Sequence, residues 1–386
     1  MPINAFSPEK NFLKWSKSEV INFLNRAEFV GQAAWYIENI LNPAEAIDIF
    51  SNPNLPADVI QAILQHEIVS LHKLIKIITY DANDLTVSSD TTLSGVNRYK
   101  GLAVSATLTI DDQPGVLICD YLKSNGTILK TKTGGAGGSS TCNGVGGAGA
   151  GGLIIITNFL VNSGLIDASG EAGSDGENTG SNAGGGDGGD GKIIKIFSDS
   201  EGSGGDGAIA RGLGNFGGGG GGTSALAGGD GGSSTIITKS SPTELYNEIK
   251  YALIDWWMIN ILEKNPTSTI SFPDIKGAGG GGGARYSTGA SGGGGGSGGE
   301  VIILASELFD NTGTIQANGG NGGNGDAVGD WDGSGGGGGG GLIYIFTKKV
   351  INQGTIQALG GARGPSGDYL GEDGSDGTVS LFNIQL

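Results

Sequence analysis

The sequence predicts an α-helical N-terminal domain followed by a β/polyglycine-II repeat domain, short strands alternating with packed glycine helices, with one inserted helix. Three observations carry this expectation. Residues 1–80 are nearly free of glycine and place apolar side chains at spacings of three and four. Further on, one apolar strand-like pattern recurs in four segments. Finally, 79 of the 386 residues are glycine, gathered into runs such as Gly217–Gly222, Gly279–Gly283 and Gly335–Gly341.

Within residues 1–80, Ser16-Lys-Ser-Glu19 is a capping box that opens a helix. Val20, Phe23, Ala27, Val30, Ala34, Ile37 and Leu41 follow as a three-heptad seam, suited to a coiled coil or to one wall of a bundle. Asn42-Pro43 ends that seam and caps a short second helix. Leu55-Pro56 starts a third, with Ile60, Leu64, Ile68, Leu71, Ile75 and Ile78 on its apolar face. This region reads either as a self-contained bundle or as an oligomerising or docking helix set. From about residue 84 the period switches to two. Leu102, Val104, Ala106, Leu108 and Ile110 alternate with polar residues, as in a half-buried strand.

The four recurring segments start at Val116, Leu153, Val301 and Leu342 and run to Ile128, Ile166, Ile315 and Ile356. Each has a short β-branched run, a mixed stretch, a turn with Gly126, Gly164, Gly313 or Gly354, and then Thr-Ile or Leu-Ile. Apolar runs of this length suit strands covered on both faces, and Asn-x-Gly suits a tight turn with positive φ. Residues 81–198 read as a β region with a first glycine-rich module, and 301–386 as a second module. Between them, 199–300 is a glycine-rich insertion holding a helix at about 242–264, opened by Ser241-Pro242-Thr243-Glu244. That helix, with Trp256 and Trp257, either covers a sheet face or meets a membrane or partner. The glycines themselves show a period of three, as in Gly-Gly-Asp-Gly-Gly-Asp-Gly at 185–191 and Gly-Gly-Asn-Gly-Gly-Asn-Gly at 319–325. Three is the period of the polyproline-II helix, and glycine lets such helices pack backbone to backbone. Ten prolines are too few for collagen. A flexible spacer is the alternative, and the repeated strands between the runs speak against it.

The chemistry is sparse. The only histidines are His66 and His72, six apart on one helix and so on different faces, which leaves no Ser-His-Asp or Cys-His site in the glycine region. No phosphate-loop pattern occurs. A net charge of −17 argues against nucleic acid as a partner. The start of the chain shows no secretory signal, and the longest apolar stretch, Tyr251–Leu262, is too short to span a membrane. Cys119 reads as a buried thiol, with a bridge to Cys142 as the alternative. No cofactor is expected beyond a weak calcium possibility at Asp187, Asp190, Asp326, Asp373 and Asp376. The stronger candidates lie where the glycine period breaks. They are Phe216, Arg285, Tyr286, Asp330, Trp331, Asp332, Arg363, Asp368 and Tyr369, the residue types that dominate recognition surfaces.

Glycine runs linked by variable loops resemble the distal tail-fibre adhesins of T-even-type bacteriophages. The repeated glycine run, Leu-Ile-Ile-Ile and Asn-x-Gly-Thr-Ile pattern is also similar to glycine-rich structural proteins of tailed phages, over roughly 115–386. The resemblance implies a non-enzymatic virion protein whose polyglycine-II sandwich presents loops to a cell-surface glycan or protein receptor. Residues 1–80 would then attach it to a fibre or tail protein, and a homo-oligomer is possible. The alternative is a purely structural virion, filament or surface-layer subunit.

Overall fold

The computed structural model describes residues 16–383 except 27–29, 112, 133–135, 138–143, 177–187, 197–198, 200–202, 205–230, 282–284, 287–288, 326–332 and 366–369. Met1–Ala82 with Asn247–Phe272 forms one compact unit, and Asn83–Tyr246 with Pro273–Gln385 forms the other.

The first unit contains α1 (Lys17–Leu24), α2 (Val30–Asn39), α3 (Pro43–Phe50), α4 (Ala57–Gln65) and α5 (Leu71–Ile78). Capping boxes Ser16/Glu19 and Asn42/Glu45 open α1 and α3. The three-heptad seam is divided, because α1 closes on Asn25 and α2 begins at Val30. The long helix expected after Pro56 is likewise divided. Ser70, whose hydroxyl accepts from the Lys73 amide, caps α5 as a new start. Most of α6 (Pro242–Asn260) belongs to this unit too. There Trp257 meets Phe50 edge-on at 6.1 Å. Asp255 accepts from Gln61 Nε2 at 2.7 Å and from the Ile270 amide at 2.6 Å.

In the second unit, successive strands alternate between two sheets. β1 (Leu85–Val87), β3 (Val96–Val104), β5 (Gly115–Ser124), β7 (Leu153–Asn162), β13 (Glu300–Asn311), β15 (Leu342–Thr347) and β17 (Thr378–Asn383) form a seven-stranded sheet in that order. β2 (Thr91–Leu93), β4 (Thr107–Ile110), β6 (Thr127–Lys130), β8 (Leu165–Asp167), β14 (Thr314–Gln316) and β16 (Thr355–Gln357) form a six-stranded sheet. Neighbours in both sheets are parallel. Each rung of the stack is therefore one strand of the first sheet, a corner, and one strand of the second. β9 (Gly191–Ile196) and β10 (Ser234–Lys239) make a separate parallel pair, and β11 (Arg285–Tyr286) and β12 (Gly289–Ala290) a short antiparallel one.

This architecture corrects the predicted fold class. The protein is a parallel-strand α/β fold built on two large parallel sheets with six helices among the described residues, not a helical N-terminal domain followed by a β/polyglycine-II repeat domain. The error lay at the corners, read as positive-φ turns closing local units. Of the four corner glycines only Gly354 has positive φ, at 57°. The others are glycine because the corners stack. A Cβ on Gly164 would lie 1.9 Å from the Gly126 carbonyl oxygen, and one on Gly313 would lie 2.1 Å from that of Gly164. The chain crosses from one sheet to the other at each corner, so the apolar runs of separate repeats merge into continuous sheets. Asn162 Nδ2 donates to Asn311 Oδ1 at 2.7 Å, tying adjacent buried corners together.

The core lies between the sheets. Leu117, Leu153, Ile155, Val301, Ile303, Ile343 and Ile345 of the first meet Leu108, Ile128, Ile166 and Ile315 of the second. The other face of the large sheet is buried too, which is why its strands read as unbroken apolar runs. Cover comes from β9, whose Ile194 and Ile196 amides donate to Glu300 and to the Tyr344 hydroxyl. Tyr246, near the start of α6, packs on Phe346 at 6.1 Å. Cys119 is a free buried thiol, its pKa pushed up to about 12 by burial, while Cys142 lies outside the described residues.

Glycine rods complete the later rungs. Rods leave the small sheet at Ala168, Ala317 and Ala358, and rods return to the large sheet through Gly152, Gly299, Gly341 and Gly377. Their hydrogen bonds have a period of three. Gly292, Gly295 and Gly298 donate to Gly333, Gly336 and Gly339; Gly293, Gly296 and Gly299 to Ser174, Glu171 and Ala168; Gly294 and Ser297 to Gly281 and Ala278, all at 2.8–3.0 Å. Each face of this rod thus serves a different neighbour, one parallel and two antiparallel. Rods that leave the small sheet pair in parallel with one another, as where Gly170 and Gly173 donate to Asn318 and Asn321. Rods that return pair likewise, so the two sets form antiparallel layers. Among the described glycines only Gly95 and Gly354 have positive φ, and neither lies in a rod.

Candidate functional site

Rods of both layers end together, away from the sheets. The outgoing rods are described as far as Gly176, Gly325 and Pro365, and the returning ones from Ser291, Gly333 and Leu370. Hydrogen bonds hold these ends side by side. The Gly333 amide donates to Ser291 Oγ at 3.3 Å, Gly371 to Ser334 Oγ at 2.9 Å, and Gly364 to the Gly335 carbonyl at 3.0 Å. A Cβ on Gly176 would lie 2.5 Å from the Ala290 carbonyl oxygen, so β12 ends against the first outgoing rod. Chain flanking three breaks in the glycine period, at 285–290, 326–332 and 366–369, thereby comes together at this end of the rods, while the break at 208–216 lies outside the described residues.

Asp326, Asp330, Trp331, Asp332, Asp368 and Tyr369 fall in two of these breaks and lie outside the described residues, as do Phe216 and Asp187. Arg285 and Tyr286 form β11, paired with Ala290 and Gly289 of β12. Arg363 sits on the last outgoing rod. Its amide donates to Asp373 Oδ1 at 2.8 Å, and its guanidinium Nη1 to the Gly371 carbonyl at 3.4 Å.

Three of the carboxylates considered for calcium accept backbone N–H bonds. Asp190 takes the Ser233 amide at 3.0 Å, Asp373 that of Arg363, and Asp376 that of Gly360 at 2.8 Å. This role recurs on the rods. Asn318 and Asn321 accept from Leu359 and Ala362, each at 2.9 Å, and Asp175 accepts from Asn324 at 2.7 Å. A glycine rod has no side chains to satisfy its outward amides, so a neighbour's Asp, Asn or Ser supplies the acceptor. No cluster of three or more metal-ligating side chains occurs among the described residues. Nor, among them, is any helix long and apolar enough to cross a membrane.

Ser291 and Ser334, both buried, are parts of the site that the sequence reading passed over. Each stands at the start of a returning rod and accepts the amide of the next returning chain, at Gly333 or Gly371. Their signal was available: Ser followed by an unbroken glycine run occurs at both places.

No known protein family, curated protein or solved structure matches this chain.

Proposed function

We propose that this protein is a non-enzymatic virion fibre-tip or tail protein whose glycine scaffold presents loops for binding a cell-surface receptor. The observation that carries the reading is that chain flanking three period breaks comes together at one end of the rod layers, on residues braced by Ser291, Ser334 and Asp373. Two of those breaks contain Asp330-Trp331-Asp332 and Asp368-Tyr369, apolar rings beside carboxylates of the kind that stack on a sugar or a receptor side chain. A rigid base limits the ordering entropy lost on binding, so each aromatic anchor is worth on the order of 2 kcal/mol.

The test is a titration of labelled protein on a glycan array and on a panel of bacterial cell envelopes. Binding to at least one surface is expected. Trp331→Ala with Tyr369→Ala should weaken it by roughly tenfold or more, with an unchanged thermal unfolding profile. Full binding by the folded double variant would remove these residues from the site, and wild-type binding to no surface would remove the function.

A further inference from the structure

The two large sheets are covered differently. Central strands of the seven-stranded sheet, such as β7 and β15, are buried on both faces, whereas the six-stranded sheet is buried on one. Leu108, Ile128, Ile166 and Ile315 on its inner face are fully buried. Two rows of side chains cross its outer face in register. One is Thr107, Thr127, Leu165, Thr314 and Thr355. The other is Thr92, Thr109, Leu129, Asp167, Gln316 and Gln357. All are partly or fully exposed, and no register shift interrupts these pairings. Among the described residues no group hydrogen-bonds to the hydroxyls of Thr107, Thr127, Thr314 and Thr355.

The outgoing rods continue this face beyond the strands. Ser169 Oγ accepts the Asn318 amide at 3.1 Å, and Asn318 and Asn321 accept those of Leu359 and Ala362, each at 2.9 Å. These bonds run sideways from rod to rod, and Ala172, Asn321, Leu359 and Ala362 are exposed. Gln357 Nε2 donates to Gln316 Oε1 at 3.4 Å, so the amides also line up across the strands. Asp167 is the one charged residue of the two rows, in a chain of net charge −17, and its carboxylate already accepts the Ser169 amide at 2.9 Å. Asp111 and Asp175 stand at the margins.

We infer that this face binds an uncharged polysaccharide whose chains lie side by side in a solid surface. Near neutrality on an otherwise acidic protein offers nothing to an ionic polymer of either sign and suits a neutral one. Threonine presents a hydroxyl beside a methyl, and Asn and Gln present a donor beside an acceptor, which suits sugar rings bearing hydroxyls on apolar CH faces. Across five strands the face spans about 19 Å, and from Thr314 to Asn321 about 22 Å. Roughly 400 Å² is about half of what each partner gives to a stable protein pair, too little for a second copy. A repeating polymer needs no deep groove, because many equal, shallow contacts add along it. This face is distinct from the rod-end loops, so the two sites stand or fall separately.

The test is depletion of the full chain from solution by suspended cellulose, chitin and β-1,3-glucan particles, at ~0.05 and ~0.5 M salt. At least one of the three should remove it, equally at both salt levels. Thr127→Lys with Thr314→Lys should weaken that binding at least about tenfold, while Thr86→Lys in β1 should leave it unchanged. Ala362 lies outside the strands, so Ala362→Lys serves if the double variant fails to fold, and it too should weaken binding. Depletion by none of the particles would overturn the inference, as would full binding by the folded lysine variants. Binding lost at ~0.5 M salt would replace the neutral contact with an ionic one. Shaping of ice crystals by the wild type, or a dimer in sedimentation, abolished by the same lysines while no particle binds, would make ice or a second copy the occupant instead.

Discussion

Replacing Gly338 tests the structure where it is least tolerant. A Cβ there would lie 2.2 Å from the Gly296 carbonyl oxygen and 2.6 Å from its carbon. Non-bonded carbon contacts settle near 3.5 Å, so the two rods would have to separate by about 1 Å. That movement is resisted by the Gly338 amide bound to Gly320, the Gly361 amide bound to Gly338, and the Gly296 and Gly320 amides bound to Glu171 and Gly296, all at 2.7–2.9 Å. At about 1 kcal/mol each, weakening these four bonds costs about 4 kcal/mol, and the γ-carbons of valine add to it. For a folding unit of this size the loss corresponds to roughly 8–16 °C in Tm. In a flexible spacer the sign reverses, because Gly→Ala stiffens the unfolded chain and stabilises by about 0.4–1 kcal/mol. Calorimetry of Gly338→Ala and Gly338→Val, with amide exchange across 291–299, separates the cases. An alanine variant within ~0.5 kcal/mol of wild type would refute the packed rods.

Two further outcomes concern the helical unit. Ile37, fully buried in α2, should not accept a carboxylate, so Ile37→Asp is expected to unfold that unit by several kcal/mol while the strand-and-rod unit stays protease-resistant; joint loss of both would contradict the division into two units. Lys250 is buried, with Nζ donating to the Val69 carbonyl, and burial lowers its pKa from 10.5 to about 8. Between these values the unfolded chain holds the proton more tightly than the folded one, so stability should rise with pH from about 8 to about 10, by roughly 3 kcal/mol. Chemical denaturation across that range checks it, and a Lys250→Met protein that keeps the full slope would assign the effect to another group.

Local rules were legible in the chain, and long-range pairing was not. Ser16, Asn42 and Ser241 announce helix starts, and each accepts the expected amide three residues on. The glycine spacing records how rods meet. Along 168–176 glycine stands at Gly170, Gly173 and Gly176, the positions facing Gly296, Gly293 and Ala290; along 319–323 two in three face rods on two sides. The corners were ambiguous for a physical reason. Glycine is required both where φ is positive and where a neighbouring backbone comes close, and residue identity does not separate Gly354 from Gly164. Nor does local pattern reveal that β7 pairs with β13, across the whole insertion. In the sequence the recognition candidates stand out by contrast with glycine, whereas Ser291 and Ser334 look like parts of the runs.

Strands and rods divide two tasks that most folds assign to the same residues. A rod of glycine satisfies its backbone on three sides but buries no side chains, and ordering glycine is entropically the most expensive case. Hydrogen bonds worth about 1 kcal/mol net per residue cannot by themselves offset a backbone entropy cost of about 1–2 kcal/mol. The apolar rungs supply the difference. Rods lead into or out of strands of the Leu153–Ile156 or Val301–Leu304 kind, buried on both faces, whose parallel register sets the alignment of the rods. Order in the rods should therefore depend on the sheets more than the reverse. The same division explains where variation is tolerated. A side chain inside the layers would meet backbone at about 2 Å, and the aromatic, acidic and basic candidates stand in the sequence where the glycine runs break.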